Sequence, residues 1–159
     1  MTTFVHLTAE KNLKSILRTG IKISNSCVYA MPVLPNFYTS HQWLRELKRD
    51  GTKTIYGIYF RIPNNEIVSV GYFNQRHQEM TANEANSLLM KLENPSGYEV
   101  IIPRKIRARE IRKARYLPQI VGWRYFPNAH GRKPCGCPRC LRRGEIKSRK
   151  IRAAYQAQN

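Results

Sequence analysis

The chemistry this chain could perform starts from one carboxylate. Glu99 stands in Gly97-Tyr98-Glu99-Val100-Ile101-Ile102-Pro103, directly after the turn-forming Asn94-Pro95-Ser96-Gly97. Val100, Ile101 and Ile102 read as a buried strand, closed by a proline that cannot donate to a sheet ladder. A carboxylate at the mouth of such a strand is held rigidly, as a catalytic acid or base must be. The same position also suits an ordinary solvated glutamate at a strand end. His6 ends a first apolar run and Tyr29 lies inside a second. Taken singly, a histidine after an apolar pair is commonly a satisfied core residue, and a strand tyrosine is commonly packing. Glu79, within His77-Gln78-Glu79, is a rival carboxylate, but it precedes a helix rather than opening a buried strand.

A second constellation lies near the C-terminus. His130, Cys135, Cys137 and Cys140 offer four soft ligands in a loop kept tight by Gly131, Pro134, Gly136 and Pro138. Their spacing is too close for a disulfide framework, and tetrahedral zinc takes four such ligands in short arcs. Reduced surface thiols are the plain alternative, and Cys27 could stand in for His130. Around this cluster Trp123, Tyr125 and Phe126 alternate with Arg124, Arg132, Lys133, Arg139, Arg142 and Arg143. Aromatics interleaved with arginine form a surface on which unpaired bases stack while phosphates meet the cations. Trp123 would equally serve as a small hydrophobic seat. Residues 145–158 read as a basic helix.

The elements that must position these groups follow from length, charge and pattern. At 159 residues the chain suits one domain with a small appendage, divided at 1–115 and 116–159. The net charge of +18 is uneven: residues 1–103 carry 11 Lys/Arg against 8 Asp/Glu, and residues 104–159 carry 17 against 2. A basic segment on a nearly neutral body attracts polyanions, nucleic acid first among them. No run approaches the roughly 18 apolar residues of a membrane span, and no signal-peptide pattern opens the chain, so a cytoplasmic protein without membrane attachment is expected.

Phe4-Val5-His6-Leu7 predicts a first strand, and Thr8 a cap for a helix carrying Leu13, Ile16 and Leu17, with Gly20 just beyond its C-cap. Cys27 to Ala30 predicts a second strand, stopped by Met31-Pro32 and followed by a loop to Ser40. Ser40 would cap a helix from His41 to about Lys48. Thr54 to Phe60 is the strongest strand, and Glu66 to Tyr72 is expected to pair back on it through Asn64-Asn65. Thr81-Ala82-Asn83-Glu84 is a capping box opening a helix with Ala85, Leu88, Leu89 and Leu92 on one side. The strand of Glu99 follows, then a strand or turn-strand from Ile106 to Ile111. The order predicts an α+β domain.

Together these stretches resemble ADP-ribosyltransferase domains of the His-Tyr-Glu type, the DarT-like and poly(ADP-ribose) polymerase-like families. The resemblance rests on Val5-His6-Leu7-Thr8 with Asn12-Leu13, Ile16-Leu17 and Gly20-Ile21, on Cys27-Val28-Tyr29-Ala30 with Ser40, Trp43 and Leu44, and on Tyr98 to Pro103 with Ile106. It spans roughly residues 3–111, in the family's order. It implies a split mixed β-sheet holding NAD as substrate. By position His6 would bond the adenosine ribose, with Leu7 and Thr8 near the nicotinamide. Tyr29 would stack on the nicotinamide ring, Tyr38 would supply a second aromatic, and Glu99 would meet the nicotinamide ribose. A fixed carboxylate stabilises the oxocarbenium-like centre that forms as the glycosidic bond breaks. Cys27 stands where the family has glycine. Gly97, where a second acidic residue would favour arginine targets, argues against arginine as acceptor.

The expected function is therefore NAD-dependent mono-ADP-ribosyl transfer to DNA or RNA, in a toxin or phage-defence effector that an antitoxin or immunity protein would neutralise. Two alternatives stand beside it: an RNA 2′-phosphotransferase-like NAD enzyme, and a non-catalytic zinc-containing nucleic-acid-binding module.

Overall fold

The computed structural model describes residues 1–24, 27–44, 47, 52 and 54–117. In chain order the strands are β1 (Thr2–Ala9), β2 (Val28–Pro32), β3 (Ile55–Ile62), β4 (Ile67–Tyr72), β5 (Gln78–Thr81), β6 (Tyr98–Ile102) and β7 (Ile111–Tyr116). The helices are α1 (Leu13–Thr19), α2 (Phe37–Ser40) and α3 (Ala82–Lys91), with short 3-10 turns at Glu10–Asn12 and Ala108–Glu110. The domain is α+β, as the patterning predicts. The seven strands among the described residues form one sheet in the order β5-β4-β6-β2-β1-β3-β7, and each of their pairings is antiparallel where a mixed sheet is expected.

The ladders are very unequal. β1 and β3 pair from Thr2↔Ile62 to Ala9↔Ile55, whereas β1 and β2 pair only through Phe4↔Pro32 and Val5↔Met31. The sheet is thus two half-sheets joined by a short seam. Phe4, Val28, Ala30, Phe60, Val68, Val70, Val100, Ile102 and Ile106 fill the main core with Ala82, Ala85 and Leu89 from α3. A smaller cluster of Leu44, Ile55 and Leu117 closes the β3 side.

Several local expectations change, some because a long-range pairing outweighs a local signal. Thr8 does not cap a helix: it lies inside β1 opposite Tyr56, and its hydroxyl accepts a hydrogen bond from Asn12 Nδ2 at 3.3 Å. Gly20 is itself the C-cap of α1, with φ of 88°, and its N–H donates to the Ile16 carbonyl. A Cβ there would sit 2.0 Å from the Ile106 carbonyl oxygen, because Ile21 bridges to Ile106. β2 runs on through Met31 and Pro32.

The expected loop to Ser40 contains α2, capped by Asn36 Oδ1, which accepts from the Tyr38 and Thr39 N–H groups. Ser40 is the last residue of α2, and its hydroxyl accepts from the Leu34 N–H at 2.8 Å. β4 does not pair back on β3, because both edges of β3 are taken by β1 and β7; it pairs with β5 and β6 instead. The turn-strand from Ile106 resolves into a single bridge at Ile106, the 3-10 turn and then β7. The capping box at Thr81 and Glu84 is present as expected. Residues 118–159, with the His130, Cys135, Cys137 and Cys140 cluster and the aromatic–arginine stretch, lie outside the described residues.

Candidate active site around Glu99

β6 places Glu99 opposite Gly71 of β4, and the residue is only 9% exposed. Burial raises its pKa above the ordinary glutamate range, and attraction to His77 offsets part of that rise. His77 Nε2 lies 3.2 Å from Glu99 Oε1, a close polar contact that falls short of hydrogen-bond geometry. Gly71 is what makes the contact possible. A Cβ on Gly71 would come within 2.9 Å of His77 Cγ and 3.0 Å of its Cα and Cδ2, so the imidazole occupies the space that any other residue would fill.

The approach to Glu99 is pinned by the segment after α2. Gln42 Oε1 accepts from the Gly97 N–H at 2.6 Å, Gln42 Nε2 donates to the Pro95 carbonyl at 3.1 Å, and Trp43 Nε1 donates to the Tyr98 carbonyl at 3.0 Å. His41 anchors this segment from below: Nδ1 meets the Phe37 carbonyl at 2.7 Å and Nε2 meets the Tyr59 hydroxyl at 2.8 Å. Burial lowers the His41 pKa, so the ring is held neutral. Fully bonded polar groups of this kind fix a backbone more sharply than apolar packing does.

Tyr29 pairs with Ile101, two residues from Glu99 on β6, so Tyr29 and Glu99 share one face of the sheet. The Tyr29 hydroxyl is pushed to higher pKa by the Cys27 thiol, by burial and by the Glu99 charge, which places these groups within electrostatic reach of one another. The residue is still 44% exposed, which leaves its side chain open to a ligand.

His6 comes in differently. Strand alternation assigns it to the face opposite Met31 and Tyr29, and it makes no hydrogen bond to Glu99. It meets Tyr29 through the backbone, with Nδ1 at 2.8 Å from the Tyr29 carbonyl oxygen. A carbonyl only accepts, so Nδ1 carries the proton and the neutral ring keeps Nε2 as an acceptor. Burial lowers the His6 pKa, which favours that neutral form. The contact has a consequence for the seam. The Val33 N–H donates to the Thr3 carbonyl and Val5 pairs with Met31, so Leu7 with Tyr29 would be the next hydrogen-bonded pair. That pair is not formed, and the His6 ring takes the Tyr29 carbonyl instead. The Leu7 backbone edge is left facing the gap where β1 and β2 part.

Of the other anticipated ligand residues, Thr8 is buried and held by Asn12, and Tyr38 is 65% exposed on α2 against Phe37. Neither contacts Glu99. Glu79 is exposed on β5 opposite Ser69. Among the described residues no cluster of three or more His, Cys, Asp or Glu could hold a metal ion, and no helix is long and apolar enough to cross a membrane. Sequence reasoning missed His77, Gly71 and Gln42. The available signal was the density of hydrogen-bonding side chains in Ser40-His41-Gln42-Trp43, too many for an ordinary exposed helix start.

What the arrangement can do is bounded by chemistry. A desolvated carboxylate, an accessible tyrosine beside it and an unpaired backbone edge across a gap suit a ligand that offers both a cationic or charge-developing centre and an amide-like group. Comparison of the chain with family models, with curated proteins and with solved structures finds no match.

Proposed function

We propose that the protein cleaves the nicotinamide–ribose bond of NAD and transfers ADP-ribose to a nucleic acid. The observation that carries this reading is the parted β1–β2 seam, with Glu99 and Tyr29 on one side and the Leu7 backbone edge on the other. A carboxamide needs one donor and one acceptor from the protein, which the N–H and carbonyl of a single extended residue supply; Leu7 offers both. Tyr29 covers the nicotinamide ring, and its departure leaves positive charge on the ribose carbon, which the ionised Glu99 stabilises. His6 parts the seam by taking the Tyr29 carbonyl, which leaves the Leu7 edge free for the carboxamide. Attraction to His77 offsets part of the rise that burial imposes on Glu99, and Gln42 and Trp43 hold the strand that carries it. This reading follows the split-sheet ADP-ribosyltransferase domains that the sequence resembles. The basic C-terminal part, with zinc held by Cys135, Cys137, Cys140 and His130, is proposed to retain the acceptor.

The test is incubation of the full chain with nicotinamide-labelled and adenine-labelled NAD, separately with single-stranded DNA, RNA and protein. Nicotinamide release with label on a nucleic acid, reduced about 100-fold or more in Glu99→Gln, is the expected result. Label on protein alone would replace the acceptor. Absence of NAD turnover together with salt-sensitive oligonucleotide binding would favour a non-catalytic binding module.

A further inference from the structure

A groove of about 480 Å³ lies where the β6–β7 connection meets the end of β3. Five arginines line it: Arg61 from β3, and Arg104, Arg107, Arg109 and Arg112 from the connection and the start of β7. They face two carboxylates, Glu66 and Glu110, so the lining has an excess of three positive charges before the Met1 amine is counted.

Those charges are not equivalent. Arg104 donates to Glu66 from Nε at 2.7 Å and Nη2 at 2.8 Å, and to Glu110 from Nη1 at 2.9 Å and Nη2 at 2.7 Å. Its Nη1 also donates to the Lys105 carbonyl at 2.9 Å. One guanidinium therefore engages both carboxylates and holds the floor of the groove. Arg61, Arg109 and Arg112 are exposed and have no carboxylate partner among the described residues. Gathering unpaired guanidinium groups on one concave surface costs repulsion that a bound anion removes, and their planar forks match phosphate oxygens.

The geometry points to this groove as a site for the phosphate backbone of a nucleic acid, apart from the Glu99 site and not requiring NAD. A chain of phosphates fits better than a single one because positive charge continues in the sequence after the groove residues. Lys113 and Arg115 follow on β7, and residues 104–159 carry 17 Lys/Arg against 2 Asp/Glu. A polyanion in the groove is also attracted by the net charge of that segment, and releases condensed counterions as it binds.

The experiment is fluorescence anisotropy of the full chain with labelled single-stranded DNA and RNA of about 20 nucleotides, titrated between about 50 and 300 mM salt. The combined variant Arg61→Gln, Arg109→Gln, Arg112→Gln is compared with the native chain, leaving Arg104 in place. Affinity is expected to fall about tenfold or more, and the slope of log K against log salt to become shallower by about 2, at about 0.7 for each lost phosphate contact. Each single variant is expected to take about one third of that change, so a folding defect in the combined variant, seen by circular dichroism, does not decide the matter. Nicotinamide release in the absence of oligonucleotide is expected to be unchanged, which separates this site from the Glu99 reading. Unchanged affinity and slope in all variants would overturn the proposal. So would displacement of the oligonucleotide by inorganic phosphate as readily as by unlabelled oligonucleotide, which would mark a single-phosphate site.

Discussion

Two glutamates flank the same stretch of chain and are treated in opposite ways. Glu110 is tied by the Arg104 guanidinium and by the Arg107 N–H at 2.7 Å; burial alone would raise its pKa, yet these bonds hold it below the ordinary range. Glu99 is more deeply buried, has one imidazole at a poor angle for hydrogen bonding, and is pushed up. A carboxylate used for architecture has its lone pairs filled. One that is left desolvated and under-bonded carries a cost which the rest of the fold must offset, and such groups concentrate where chemistry is done. The Gln42 and Trp43 bonds that steady β6 supply that support without touching the carboxylate.

The contrast breaks first at function. Glu99→Gln is expected to reduce nicotinamide release about 100-fold or more while leaving the fold intact, and Glu110→Gln to leave the turnover near native. Equal loss in both, measured by product chromatography, would mean that the two carboxylates do not differ in role. The next largest effect is on stability. Arg104→Ala leaves Glu66 and Glu110 side by side without their shared partner, and is expected to cost about 2 kcal/mol in urea unfolding after allowance for partial exposure. A loss within experimental error would remove Arg104 from the floor of its groove.

Gly71→Ala sharpens the comparison from the other side. The added methyl displaces His77, costing about 1–2 kcal/mol of stability by overpacking. It also removes the attraction that offsets part of the Glu99 burial, so the acidic limb of the pH–rate profile for nicotinamide release is expected to move to higher pH. His77→Gln is expected to move the limb in the same direction with a smaller stability cost. A limb that stays in place in both variants would show that His77 does not tune Glu99.

How much of this was legible before the structure depended on the range of the signal. The strand of Glu99, the capping box at Thr81 and Glu84, and the apolar face of α3 are local patterns, and they stand where the sequence places them. Tyr29 and Glu99 on one face follow from a register that no local pattern encodes, although both strands were recognisable. His77 was hidden because its position over Glu99 requires β4 to lie between β5 and β6 with Gly71 in line, whereas Asn64-Asn65 suggested a hairpin on β3. β5, with Gln78, Glu79, Met80 and Thr81, has no apolar alternation to announce it. The arginine groove was missed for a similar reason: Arg104, Arg107, Arg109 and Arg112 read as a basic run, and only the fold brings Arg61 to them.

The smallest expected effect is also the one that separates the two glutamates by sign. The ordinary glutamate pKa is about 4.3. Glu99 is raised in the folded state, so between that value and its raised native value the folded protein binds more protons than the unfolded one, and its contribution to stability falls as pH rises through the window. Glu110 is lowered, so its contribution is complete above the ordinary value and is lost as pH falls from there through the native value. In urea titrations across this range, Glu99→Gln is therefore expected to be more stable than the native chain at neutral pH and Glu110→Gln less stable, with both differences shrinking on acidification. Two differences of the same sign at neutral pH would mean that Glu99 is as well satisfied as Glu110, and the desolvated carboxylate on which the enzymatic reading depends would be lost with it.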